Sequence, residues 1–147
     1  MKRCADLPGY ELFQYVDADG ERHSVDSADV NDYLREITGE HYTAKDFRTW
    51  AGSVMACCRL GALAPFASET EAKKNVVQAI AQVAARLGNT ASVCRKCYVH
   101  PAILEAYLEG RIAELGNKRT ATRQMQALEA DERMFVRLLQ RRQCSAA

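Results

Sequence analysis

Residues 68–88 constrain the fold more tightly than any other stretch of the chain. Ser68 followed three residues later by Glu71 is the pattern of a helix-opening capping box. Beyond it, Val76, Val77, Ile80, Val83, Ala84 and Leu87 fall on one stripe at helical spacing, and Gly88 supplies the stop. A helix with one apolar stripe must bury it against other elements, and most of the remaining chain offers helices.

Ser27 is the candidate N-cap of a helix through about Ile37, closed by Gly39. Thr43 is placed to cap the next, with Phe47, Trp50, Val54 and Cys58 at steps of three or four. A short helical segment covers about Thr90 to Cys97. Pro101 suits the first turn of a helix containing Ile103, Leu104, Tyr107 and Leu108, and it biases His100 away from helical geometry. Gly116-Asn117 marks a loop, and a last helix from about Arg123 to Gln140 is expected to bury Met125, Leu128, Phe135 and Leu138 or Leu139. Only the start reads as strand: Glu11 to Val16, the turn Asp17-Ala18-Asp19-Gly20, and a return over Arg22 to Val25. The expected fold is mainly α: a compact helical domain with a short N-terminal β-hairpin, and a single domain over 1–147.

The 147 residues suffice for one domain with a real core. No apolar run approaches a membrane span and the N-terminus has no apolar signal region, so a cytoplasmic protein is expected. The six cysteines then read as reduced thiols. Cys57 and Cys58 are adjacent within a helical pattern, and Cys4 and Cys144 lie near the termini. A net charge of +1 hides an asymmetry. Residues 1–40 carry four basic and ten acidic side chains, whereas residues 41–110 carry eight and five and residues 111–147 eight and four. The basic part is compatible with a polyanion on one face, and equally with a solvated mixed-charge surface.

Cys94-Arg95-Lys96-Cys97 invites a metal or redox reading. A structural zinc site needs four ligands; His100 could be a third, but no fourth has suitable spacing. A thioredoxin-like site would want a preceding strand, and the context here is helical. The pair is expected to be two small, semi-buried thiols incidental to the chemistry, with no metal bound. Tyr98, next in line, falls near a break between two helices. Most tyrosines are packing residues with a polar tip. A phenol with an ordinary pKa near ~10 attacks at neutral pH only with cations or proton acceptors beside it.

Three ordered motifs carry a resemblance. Leu87-Gly88-Asn89-Thr90 followed by Cys94-Arg95-Lys96-Cys97-Tyr98-Val99-His100-Pro101 resembles the nucleophile region of type IB DNA topoisomerases of the bacterial and poxviral kind. Thr43-Ala44-Lys45-Asp46-Phe47-Arg48-Thr49-Trp50 looks like that family's Lys-Asp-x-Arg box. Asp6-Leu7-Pro8-Gly9, Glu11 to Tyr15 and Val25 to Leu34 are similar to its sequence as well, so the likeness runs from about Cys4 to Gly110. It implies the helical catalytic fold shared with tyrosine recombinases and an enzyme that nicks one strand of duplex DNA. Tyr98 would be the nucleophile, forming a 3′-phosphotyrosyl link that the swivelled 5′-hydroxyl reverses, without ATP, metal or other cofactor. Arg48 would clamp non-bridging phosphate oxygens, Asn89 would donate to one of them, and Lys45, with Arg95 and Lys96, would contact the DNA. Outside that resemblance, Arg48 reads as a surface ion-pair residue and Asn89 as a helix stop.

The resemblance also implies a second active-site arginine, a general-acid lysine on a hairpin and an N-terminal clamp domain, all upstream of Asp6-Leu7-Pro8-Gly9. The chain is therefore expected to be a monomeric catalytic-domain portion, nucleoid-associated and impaired by itself. Losing one preorganised donor typically costs about 2.7–4 kcal/mol, and losing a general acid ~10²–10⁴ in rate. Two rival functions are a tyrosine recombinase fragment and a non-catalytic DNA-binding module. Recombinases usually have histidine where Lys45 opens the box and Leu-Gly-His where this chain has Leu87-Gly88-Asn89.

Overall fold

The computed structural model describes residues 11, 13–114 and 127–145. It divides into two compact units, Met1–Phe47 and Arg48–Ala147.

In the first unit, β1 (Gln14–Val16) and β2 (Arg22–Ser24) pair antiparallel, with Tyr15 opposite His23. Of the expected first strand, Leu12 lies outside the described residues. The turn is organised by Asp17. Its Oδ1 accepts from the backbone N–H of Asp19 (3.0 Å) and Glu21 (2.8 Å), and its Oδ2 lies 2.7 Å from His23 Nε2. Gly20 takes the left-handed conformation at φ 82° that closes the hairpin. Helix α1 spans Ser27–Thr38. Its N-cap is Asp26 and not the expected Ser27. The Asp26 carboxylate accepts from Ala28 and Asp29 N–H, while Asp29 returns a carboxylate to the Asp26 N–H at 2.9 Å. Aspartate caps as well as serine does, and here only aspartate has a reciprocal partner at the third position. Gly39 ends the helix as expected.

Helix α2 (Ala44–Ala62) begins after Thr43, whose hydroxyl donates to Asp46 Oδ2 at 2.6 Å. The threonine is therefore a donor to the first turn, where a capping acceptor was expected. Beyond the first turn, the buried face of α2 is Gly52, Ser53, Ala56, Cys57 and Leu60. The expected stripe is rotated: Phe47 is exposed, and Trp50, Val54 and Cys58 are half-buried. The helix presses its small residues inward, which brings its backbone close to its neighbours.

In the second unit, α3 (Glu69–Leu87) is capped by Ser68, whose side chain accepts from Glu71 N–H at 3.2 Å. The Glu71 carboxylate returns to Ala67 N–H, one residue outside the expected box. Val76, Ile80, Val83 and Ala84 are buried and Leu87 is half-buried. Val77, by contrast, is 64% exposed, because Ala72 and Ala79 complete the inner face. Helix α4 (Ala91–Cys97) opens on Thr90, and α5 (Pro101–Leu108) opens on His100 with Pro101 in the first turn. Ile103, Leu104 and Tyr107 are buried, whereas Leu108 is exposed. Tyr107 keeps its hydroxyl paired, accepting from Asn75 Nδ2 and donating to the Leu63 carbonyl. After a 3₁₀ turn (Arg111–Glu114), the last helix α6 spans Ala130–Ser145, later than expected. Phe135 and Leu138 are buried, Leu139 is half-buried, and Leu128 is half-buried in the turn before the helix. Met125, Gly116 and Asn117 lie outside the described residues. Trp50 ties α2 to α6: its Nε1 donates to Glu132 Oε1 at 2.8 Å and its ring meets Phe135 edge-on. Among the described residues no helix is long and apolar enough to cross a membrane.

Candidate active site

Tyr98 sits where α4 stops and α5 has not begun. It is the C-cap of α4, at φ −125° and ψ −3°, with its N–H returned to the Cys94 carbonyl at 2.9 Å. Two residues on, His100 caps α5 by accepting the Ala102 N–H at Nδ1. Proline at the first turn of α5 forbids one continuous helix, so the tyrosine is presented at a break. Its side chain is half-buried and packs on the core.

Arg48 lies on α2 with its guanidinium carbon 5.0 Å from the centre of the Tyr98 ring. Its Nη2 donates to the Leu87 carbonyl at 2.7 Å. Asn89 Nδ2 donates to that same carbonyl at 3.0 Å. Gly88, left-handed at φ 68°, ends α3 there and lets the chain turn into Asn89 and the Thr90 cap. Arg48 from α2 and Asn89 from the α3–α4 turn thus gather around one backbone oxygen, and Tyr98 at the α4–α5 break packs its ring against the guanidinium. The guanidinium presents a fork of donors that suits phosphate. A neutral carboxamide donor beside a permanent cation can stabilise negative charge building on a phosphate oxygen.

The remaining expected residues are distributed differently. Arg95 and Lys96 are exposed in the last turn of α4, bordering an open groove with Val99 and Pro101. Lys45 is exposed in the first turn of α2 and belongs to the N-terminal unit. Cys94 and Cys97 are not alike: Cys94 is fully buried and Cys97 is exposed, which corrects the picture of two semi-buried thiols. Burial pushes the Cys94 thiol up, with the nearby Arg48 charge opposing in part. Among the described residues, the group of side chains placed to share a metal ion is Asp17, Glu21 and His23 on the hairpin, away from the CxxC pair in sequence.

One set of contacts escaped sequence reasoning. On the turns of α2 after Arg48, Thr49 donates to the Cys97 carbonyl at 3.4 Å. Ser53 Oγ accepts the His100 N–H at 3.0 Å and lies 3.5 Å from the Tyr98 carbonyl. A Cβ added to Gly52 would stand 2.5 Å from that same carbonyl oxygen. A glycine inside a helix is unfavourable by about 1 kcal/mol relative to alanine. Its presence beside Ser53 was the available sign of a close backbone approach.

The described architecture is a mainly helical domain with an N-terminal hairpin, presenting a tyrosine beside an arginine and an asparagine. A family model described as the catalytic core of eukaryotic DNA topoisomerase I matches residues 1–126. A DNA topoisomerase 1B of Acanthamoeba polyphaga mimivirus is 32% identical over 120 residues, covering 73% of this chain and 34% of the viral protein. The chain belongs to the type IB DNA topoisomerase family. It spans about a third of the length of the viral relative.

Proposed function

We propose that this chain carries the strand-cleavage and rejoining chemistry of a type IB topoisomerase acting on duplex DNA. The observation that supports it is the convergence of Arg48 and Asn89 on the Leu87 carbonyl with the Tyr98 ring under the guanidinium. The phosphodiester's non-bridging oxygens take over from the carbonyl as acceptors for the two side chains. The Tyr98 oxygen attacks phosphorus as its phenolic proton passes to water. The bond to the 5′-oxygen breaks, and that oxygen takes a proton from water as it leaves. The 3′-phosphotyrosyl link retains the energy of the broken bond, so the reverse attack by the 5′-hydroxyl needs no ATP, metal or other cofactor. Lys45, Arg95 and Lys96 contact the backbone of the duplex and contribute a salt-dependent share of affinity. The chain acts as a monomer in the compartment that holds the DNA, associated with the nucleoid. The family also uses a further arginine and a general-acid lysine that no motif within these 147 residues supplies, so a slow reaction is expected when they are tested alone.

A duplex whose cleaved 5′ segment diffuses away traps the intermediate. The expected result is a slow covalent protein–DNA adduct, abolished in Tyr98→Phe and slowed ~10²–10³-fold in Arg48→Ala. Salt-sensitive binding with no adduct would replace this reading with a non-catalytic DNA-binding module.

A further inference from the structure

We propose that Ser53 is a positioning residue for the cleavage step, fixing the backbone on both sides of Tyr98 so that the phenol faces the Arg48 site. This rests on the topoisomerase reading of that site. Ser53 is 1% exposed, a buried hydroxyl on a face otherwise made of glycine, alanine, cysteine and leucine. A buried hydroxyl there has to be hydrogen-bonded, and both partners in the structure belong to the nucleophile segment. The hydroxyl accepts the His100 N–H at 3.0 Å and donates to the Tyr98 carbonyl at 3.5 Å. One turn earlier on the same helix, Thr49 reaches the Cys97 carbonyl, and Gly52 leaves room for the Tyr98 carbonyl where any Cβ would collide. The helix that carries Arg48 therefore also grips the backbone at residues 97, 98 and 100.

The geometric consequence is a fixed distance between phosphate clamp and nucleophile. The Tyr98 N–H still continues the ladder of α4 to Cys94, but the Tyr98 carbonyl and the His100 N–H lie beyond it, before α5 begins. Ser53 supplies the missing constraint. A displacement near 1 Å in a reacting group costs ~10²-fold in rate, so a single buried hydroxyl is enough to matter. No contact between Ser53 and the phosphate is needed.

The test uses the full chain, a trapping duplex, and the variants Ser53→Ala, Ser53→Cys and Val76→Ala. Ser53→Ala is expected to slow adduct formation at saturating DNA by ~10–100-fold, with the Kd for DNA unchanged. Protection of the His100 amide against hydrogen exchange should fall at least about tenfold, while amides of the α3 core keep theirs. Ser53→Cys, which keeps a weaker hydrogen-bonding group on a slightly larger atom, should fall between serine and alanine and guards against a cavity effect in the alanine variant. Val76→Ala removes core volume on α3 eleven residues before Leu87, about three helical turns away, and should lower stability without changing the saturating rate. An unchanged rate with an unchanged His100 exchange in both Ser53 variants overturns the proposal, as does a loss confined to Kd. If the parent chain forms no adduct, the topoisomerase reading fails on that result. The His100 exchange then decides by itself whether Ser53 fixes the backbone beside Tyr98.

Discussion

The two units of the molecule are held by different kinds of interaction. In the N-terminal unit, the bonds that shape each element are local: Asp17 closes its own turn, Asp26 and Asp29 cap one helix reciprocally, and Thr43 pairs with Asp46, while the Ala44 N–H reaches Asn31 Oδ1 thirteen residues away. Helix α1 buries no residue, and Tyr33 and Ile37 stay 60% and 57% exposed. In the C-terminal unit the ties run between elements distant in sequence: Arg48 to Leu87, Trp50 to Glu132, Asn75 to Tyr107, Ser53 to His100. Local caps decide where a helix starts and stops, whereas burial of apolar surface supplies most of the stabilisation. Tyr98 lies in the unit that has both, where its surroundings are set by packing.

The largest break in this contrast should come from the core. Leu60→Ala removes a side chain that is 0% exposed and should cost about 2–5 kcal/mol in denaturant unfolding. A loss below about 0.5 kcal/mol would deny that α2 is anchored there. Next comes the cap: Asp26→Ala should cost about 0.5–2 kcal/mol, seen as fraying of α1 by amide exchange, with the C-terminal unit unaffected. Tyr33→Ser, on the exposed face of α1, should stay within about 0.5 kcal/mol.

The smallest effect is a pH response of the hairpin. The hydrogen bond from His23, with the Glu21 N–H, holds the Asp17 carboxyl below its ordinary range. A lowered folded-state pKa means the contribution is present above the unfolded value of about 3.9 and is lost as pH falls through the folded value. The Asp17 side-chain carboxyl resonance should therefore move only below the range of a free aspartate, and Asp17→Asn should lose that transition. A parent hairpin that titrates like a free aspartate would remove the pairing.

Which parts were legible from residues follows the same division. Gly39, Ser68 and Gly88 act at helix ends as their chemistry requires, because capping is a property of a few adjacent residues. Phe47 and Val77 were misassigned to inner faces because periodicity counts large apolar residues. The actual faces are filled by Gly52, Ala56, Ala72 and Ala79, whose small size allows close packing. Cap choice between Asp26 and Ser27 turned on a reciprocal partner, which a search for serine at a cap overlooks. At the site, Tyr98, Arg48 and Asn89 could be named from motifs, and the structure brings them together. The Leu87 carbonyl that gathers the donors could not be named, since a backbone oxygen leaves no mark on residue identity. Ser53 was missed because a lone serine in a helix reads as neutral until its partners are known.

The central claim is that Tyr98 is the residue that becomes bonded to DNA. Trapping the adduct on a nicked duplex, digesting both components and sequencing the nucleotide-bearing peptide by mass spectrometry tests it directly. The account predicts a nucleotide 3′-phosphate on Tyr98 alone among the six tyrosines. A nucleotide found on any other tyrosine, or an adduct that persists in Tyr98→Phe, would contradict it.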